Sequence, residues 1–175
     1  MSNPFSRQPV RGSKTLLARG FGLYQRGVQL LNHLQPLAAL LARAYVAQVF
    51  FLSGLTKLRD WSVTLFLFQE EYHVPLLPPE LAAVMGTAGE LMLPVLLLLG
   101  LGGRFAALGL SVVNGVAVLS LTEIAPAALQ QHITWGVLLA ALALYGAGKW
   151  TLDAWLCRRF GALGNAAAGG HNPST

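Results

Sequence analysis

Four apolar runs dominate this sequence. Each approaches about 20 residues, the length a helix needs to cross the hydrocarbon core of a bilayer. They fall near residues 37–58, 81–101, 104–121 and 132–149. In hydrocarbon every backbone N–H and C=O must be bonded within the protein, so runs of this length form helices. The expected fold is an all-α membrane protein: a four-transmembrane-helix bundle, with an N-terminal amphipathic helix and a short interfacial helix between spans one and two. Composition argues against a soluble alternative. Hydrophobic residues make up 54% of the chain and charged residues 11%, against about 25% charged in an ordinary soluble domain. So little polar surface would not keep a compact chain in water.

The segments between the runs have their own signals. Residues 1–12 are polar, basic and Pro-containing, the composition of a disordered segment. Over residues 14–34, Leu17, Phe21, Tyr24, Val28 and Leu31 recur at spacings of three and four, the stripe of an amphipathic helix. A basic helix of this kind before a span lies in the membrane interface, and Pro36 is expected to end it. No compact apolar stretch with a small-residue cleavage site occurs near the N-terminus, so this segment reads as retained. After span one, Lys57-Leu-Arg-Asp-Trp61 combines anchoring charge with an interfacial Trp. Asp60 is placed to cap a short helix over residues 61–72, too short to span and therefore interfacial or re-entrant. The connector 73–80 is Pro-rich, and Pro79 suits the first position of the next helix. Residues 122–131 read as a loop, with His132 opening span four. The resulting division is a basic segment 1–36, a four-helix membrane domain 37–156 and a disordered tail 157–175.

Positive charge sets orientation, because Lys and Arg resist translocation. Arg7, Arg11, Lys14, Arg19, Arg26, Arg104, Lys149, Arg158 and Arg159 fall on one side of the four runs. Only Lys57 and Arg59 fall on the other, beside Asp60, Glu70, Glu71, Glu80 and Glu123. Four spans return the chain to the side it started from, so charge and count agree on N-in, C-in. With basic residues beside apolar runs, the net charge of +5 points to anionic lipid. There is no basic stripe with interleaved aromatics, so nucleic acid is set aside.

Two charges fall inside the runs, Arg43 in span one and Glu90 in span two. Each costs about 2.5–3.5 kcal/mol on insertion scales and therefore faces a partner or a cavity. Two readings stay open: a structural ion pair that fixes helix packing, or a polar site for a quinone, a proton or a substrate. Asn114, in an otherwise apolar span, and Gln48 are candidates for the same site. Ser53 and Thr87 read as ordinary interhelical hydrogen bonding. A second group, Lys57, His132 and His73, sits at the opposite end of the runs from the N-terminus as a candidate outer-face polar cluster; interfacial residues of no special role would look the same.

Other chemistries are expected to be absent. Cys157 is the only cysteine, so no disulfide or dithiol forms within the chain. Haem held between helices would need axial ligands in the spans, and of the four histidines only His132 is near one. No metal is expected, since converging ligands of fixed geometry are not evident.

The order of these features resembles the DoxX family of small bacterial membrane proteins. The matching residues are Arg43, the stretch Val49-Phe-Phe-Leu-Ser-Gly-Leu-Thr-Lys-Leu-Arg-Asp-Trp61, Ala88-Gly-Glu-Leu91 and Leu99-Gly-Leu-Gly-Gly-Arg-Phe-Ala-Ala107, across residues 37–150. The resemblance implies a four-helix bundle in a bacterial cytoplasmic membrane. It also implies an accessory or anchor subunit of a quinone-linked redox or metal-stress system, more a non-catalytic subunit than a self-contained enzyme. Quinone is the ligand implied, and a soluble or membrane redox enzyme the partner; apart from the resemblance, a bundle of only four helices is narrow, so a homo-oligomer is a further expected assembly. A small transporter for an anion or metal complex, and a structural assembly factor, are the alternatives.

Overall fold

The structure is a computed structural model that describes residues 11–146, 148, 150–157 and 159, with side chains from residue 21 onward. The disorder expected over residues 1–12 falls almost wholly outside these residues, as does that of the tail beyond residue 159. Among the described residues the main helices are α1 (Arg11–Arg59), α2 (Trp61–Glu70), α3 (Pro79–Leu99), α4 (Gly103–Ser120) and α5 (Pro126–Tyr145), with a further short helical stretch over residues 152–157. Four of them, α1, α3, α4 and α5, are long and apolar enough to cross a membrane. The outward faces of these helices carry bare apolar side chains such as Phe105, Leu119 and Leu144. Lipid covers such a surface; water would not.

The chain divides into two compact units, Met1–Gln35 and Pro36–Thr175. In the first, residues 21–35 are helical with nearly every side chain exposed. Here one expectation needs correcting. Pro36 does not end the helix, because α1 continues through it to Arg59. Proline removes one N–H from the ladder and crowds the carbonyl four residues back. An apolar helix survives this, because its remaining backbone groups find no better partners than one another.

The second unit holds the bundle core. Val46 and Phe50 of α1, Leu97 of α3, Ala106, Ala107 and Leu110 of α4, and Leu139 and Leu142 of α5 are buried together. A smaller cluster joins Phe68 of α2 to Ala82 and Ala83 of α3. The α2 N-cap forms as expected, with Asp60 Oδ1 accepting from Val63 N–H at 3.1 Å. Helix α3 starts at Pro79 and stops at Gly100, which adopts the left-handed conformation at φ 70°, a cap that glycine supplies without strain.

Helix α5 begins at Pro126, not at His132. Pro126 stands at its first position, where a missing N–H costs nothing, and Ala127, Ala128 and Leu129 are strong helix formers. His132 therefore lies six residues inside the helix, about 9 Å from its start.

Close contacts give the register between helices. A Cβ on Gly54 would sit 2.9 Å from Leu91 Cγ and 3.1 Å from Glu90 Cβ, and one on Gly100 would sit 2.8 Å from Arg43 Nη1. Gly54 is thus level with Glu90, and Arg43 with Gly100. Beyond this level α1 runs only five more residues, to Arg59, whereas α3 runs eleven more, to Pro79. The six-residue difference leaves about 9 Å of α3 uncovered by α1. Helix α2 and the connector after it cover that stretch.

A polar layer and cavity beside helix 2

The gap where α1 stops short contains a cavity of about 360 Å³. Its walls are mostly apolar, with Met85 of α3, Val113 and Val116 of α4 and Phe68 of α2 among them. Six polar residues line it: Ser53, Lys57, Tyr72, Glu90, Ser120 and His132. A concave apolar site with a few convergent polar groups is the usual form of a small-molecule site.

Lys57 is the last basic residue of α1 on the bundle side. Its Nζ donates to Glu90 Oε2 at 2.5 Å and to Ser53 Oγ at 3.1 Å. Ser53 and Lys57 share a helix face at a spacing of four. Gly54 lies between them, and its missing side chain lets α1 approach α3 closely enough for the ion pair to form. The carboxylate is nearly enclosed, with its side chain 9% exposed.

Asn114 and His132 form a second pair on α4 and α5. Asn114 Nδ2 donates to the His132 carbonyl at 2.9 Å, and Asn114 Oδ1 lies 2.8 Å from His132 Nδ1. A backbone carbonyl only accepts, so the amide orientation is settled. Oδ1 must then accept, and neutral His132 carries its proton on Nδ1. Nε2 is left with a lone pair. Gly136 makes room for this amide, since a Cβ there would lie 3.4 Å from Asn114 Nδ2. Trp135 packs edge-on against His132, with ring centroids 4.9 Å apart.

Tyr72 follows α2 and rests edge-on against Phe68, with centroids 5.1 Å apart. Burial pushes its phenol above the ordinary value, and the charges of Glu71 and Glu90 push the same way. Tyr72 therefore stays a neutral hydrogen-bond donor.

The two groups of residues singled out from sequence are thus rearranged. Glu90 and Asn114 join Lys57 and His132 in one layer across the bundle. Arg43 is not part of it. It lies level with Gly100, eleven residues along α1 from Gly54, about 16 Å from the Glu90 level. Arg43 does not pair with Glu90; its Nη2 donates to the Trp150 carbonyl at 2.7 Å, and Nε and Nη1 are buried with no partner among the described residues. Gln48 is exposed on the outside of α1, and His73 is exposed in the connector, where its N–H donates to the Ser120 carbonyl. Sequence reading missed Tyr72, which has no marker beyond its spacing of four from Phe68. It also gave Ser53 no particular role, although the i, i+4 relation to Lys57 was visible.

These features define the class: a multi-pass helical membrane protein whose bundle holds a largely apolar cavity with a few polar side chains at its wall. Residues 38–123 match the DoxX family and form a DoxX domain. The match spans α2, α3, α4 and the bundle part of α1. It takes in Arg43, Lys57, Glu90 and Asn114 and ends before α5, so His132 comes from outside it. No curated protein and no solved structure matches the chain.

Proposed function

We propose that this chain is the membrane-embedded accessory subunit of a quinone-linked redox system, and that the cavity beside α2 receives the quinone headgroup. The observation that carries this reading is the convergence of Lys57, Glu90, His132 and Tyr72 on one largely apolar cavity of about 360 Å³. Protein sites for small ligands run from about 300 to 1,000 Å³. A quinone headgroup is flat and apolar with carbonyl acceptors at its edge. Lys57 and Tyr72 are donors suited to those acceptors, and the valines and Met85 suit the ring. A bound quinone supplies two-electron, two-proton chemistry. The chain's part is to seat the headgroup, exclude water and hold protons at Glu90 and at His132 Nε2. The electrons come from a partner enzyme, for which the bundle is the anchor.

The positive-side bias of Lys and Arg supports a cytoplasmic-membrane placement with both termini inside. The α2 end of the bundle, with the cavity, then faces outward.

Trp135 gives a direct test, because it touches His132. The full chain with Trp61, Trp150 and Trp155 changed to Phe is reconstituted in liposomes and titrated with a short-tailed benzoquinone. Saturable quenching of Trp135 that weakens at least tenfold in Lys57→Met is expected. Unsaturable quenching, equal in both proteins, would refute the site. The subunit role is read separately, by whether an oxidoreductase co-purifies from the native membrane in mild detergent.

A further inference from the structure

Gln48 is exposed on the outer face of α1. It lies six residues from Gly54, about 9 Å along the axis, and Gly54 is level with Glu90 near the middle of α3. The hydrocarbon core extends about 15 Å either side of its centre. Gln48 therefore stands well inside the apolar layer, too deep for its short side chain to reach water. Its neighbours Val46, Ala47 and Phe50 fill the bundle core, so the amide cannot turn inward. No hydrogen-bond partner for it exists among the described residues. An amide left bare in hydrocarbon is costly.

A second group on this face has unused capacity. Tyr45 is 48% exposed, and its oxygen accepts from Trp135 Nε1 at 3.3 Å. Its own O–H has no acceptor among the described residues. Leu41, Tyr45, Gln48 and Leu52 are all exposed and follow one another at spacings of four, three and four. That is the seam of two helices packed at a shallow left-handed crossing.

We propose that this stripe is the interface of a parallel two-fold homodimer, α1 against α1 of a second copy. The occupant is argued from the amide itself. A two-fold axis along the membrane normal sets each residue of the seam opposite its own copy. A primary amide both donates and accepts, so Gln48 is its own complement across such an axis. The free Tyr45 O–H, one turn away, adds a donor for the second acceptor position of the facing amide. No charge stands on the stripe to demand a different partner. Interhelical hydrogen bonds by Gln are a recognised source of helix association in bilayers.

The lone cysteine allows a test in the full chain. Cys157 is exposed and takes donor or acceptor dye. Energy transfer in liposomes is followed as the protein-to-lipid ratio is lowered. The wild-type chain should show a dilution-dependent dimer. Gln48→Leu, which suits lipid and leaves the core untouched, should move the midpoint to a protein density roughly three- to tenfold higher. In a Cys157→Ser background, Leu52→Cys should form an oxidative cross-link between copies, and Val137→Cys, exposed on α5, should not. Random-mixing energy transfer at every ratio, an unmoved midpoint in Gln48→Leu, or cross-linking at residue 137 equal to that at residue 52 would each overturn the interface.

Discussion

Lys57 on α1 and Glu90 on α3 are joined by an ion pair at 2.5 Å, eleven residues inside the α3 helix. Each charge makes the other tolerable in an apolar bundle, and Ser53 Oγ accepts a second hydrogen bond from the ammonium group. The pair also sets the chemistry of the cavity: a carboxylate and an ammonium group meet at its wall with a histidine nearby.

Removing one partner should therefore be worse than removing both. Lys57→Met leaves a nearly enclosed carboxylate without a cation, and breaking such a pair costs about 3–5 kcal/mol. Glu90→Gln should cost less than this, because an amide still accepts from Lys57. The double change Lys57→Met with Glu90→Met replaces the pair by apolar side chains and should recover most of the lost stability. Denaturation of the wild type, Lys57→Met, Glu90→Met and the double variant in one detergent gives the comparison. Additive losses in the double variant would argue that the charges act independently.

The helices were readable because membrane insertion leaves a coarse mark: long apolar runs, interfacial Trp, Pro at helix starts. Asp60 as a cap and Pro79 as a first residue followed from local chemistry alone. Pairing was not readable in the same way. Arg43 and Glu90 stood out as charges within apolar runs, but their levels depend on where each helix ends. The early end of α1, and the way Gly54 lets it approach α3, put Lys57 at the depth of Glu90. A lysine two residues from a helix end reads from sequence as an interfacial anchor. Pro126 is a legible helix start, but the polar composition of residues 122–131 reads as a loop, which places His132 at a membrane edge. Gln48 reads as a candidate for the interior site because sequence gives a residue's spacing but not which face the bundle covers.

Asn114 should control the protonation site of His132. In the wild-type protein at neutral pH the proton sits on Nδ1, held by Asn114 Oδ1 at 2.8 Å. Asn114→Leu removes that acceptor, and the imidazole is then free to populate the Nε2–H form. Ring-nitrogen resonances of labelled histidine in liposomes distinguish the two. A spectrum unchanged by the substitution would show that Asn114 does not set the tautomer.

Gly54 should resist enlargement. A methyl group there would press on Leu91 and on the Cβ of Glu90 at 2.9–3.1 Å. Leu91 can yield at its branched end, but the Glu90 Cβ is fixed to α3. Gly54→Ala should destabilise by about 1–3 kcal/mol, the range for overpacking, and should also weaken the Lys57–Glu90 contact. Gly115, where a Cβ meets nothing within 4 Å, serves as the control, and Gly115→Ala should be neutral or mildly stabilising.

The α2 cap predicts a pH response. Asp60 is held below its ordinary value first by the backbone N–H of Val63 and then by Ser62 Oγ. A carboxylate with a lowered folded-state value contributes stability that is present above its unfolded value and is lost as the pH falls through the folded one. Protection of the α2 amides against hydrogen exchange should thus hold at neutral pH and decline below about 3.8, the ordinary Asp value. Asp60→Asn keeps a capping oxygen without the titration. Protection in that variant should be flat over the same range, and a decline as steep as in the wild type would assign the effect to another group.

Arg43 and Gly100 make the last prediction, at the opposite end of the bundle from the cavity. Arg43 is fully buried and donates to the Trp150 carbonyl, while the Gly100 carbonyl accepts from Asp153 N–H at 3.3 Å. Together they tie the α3–α4 turn to the segment after α5. Gly100 has φ 70°, and a Cβ there would fall 2.6 Å from Thr151 Cβ and 2.8 Å from Arg43 Nη1. Gly100→Ala should therefore combine backbone strain of about 1–2 kcal/mol with displacement of the guanidinium. The loss should be local. Exchange protection near residues 100 and 153 should fall, while quinone quenching of Trp135 stays at its wild-type midpoint, because the cavity lies about 16 Å away along α1. A shifted midpoint in Gly100→Ala would mean that the two ends of the bundle are coupled.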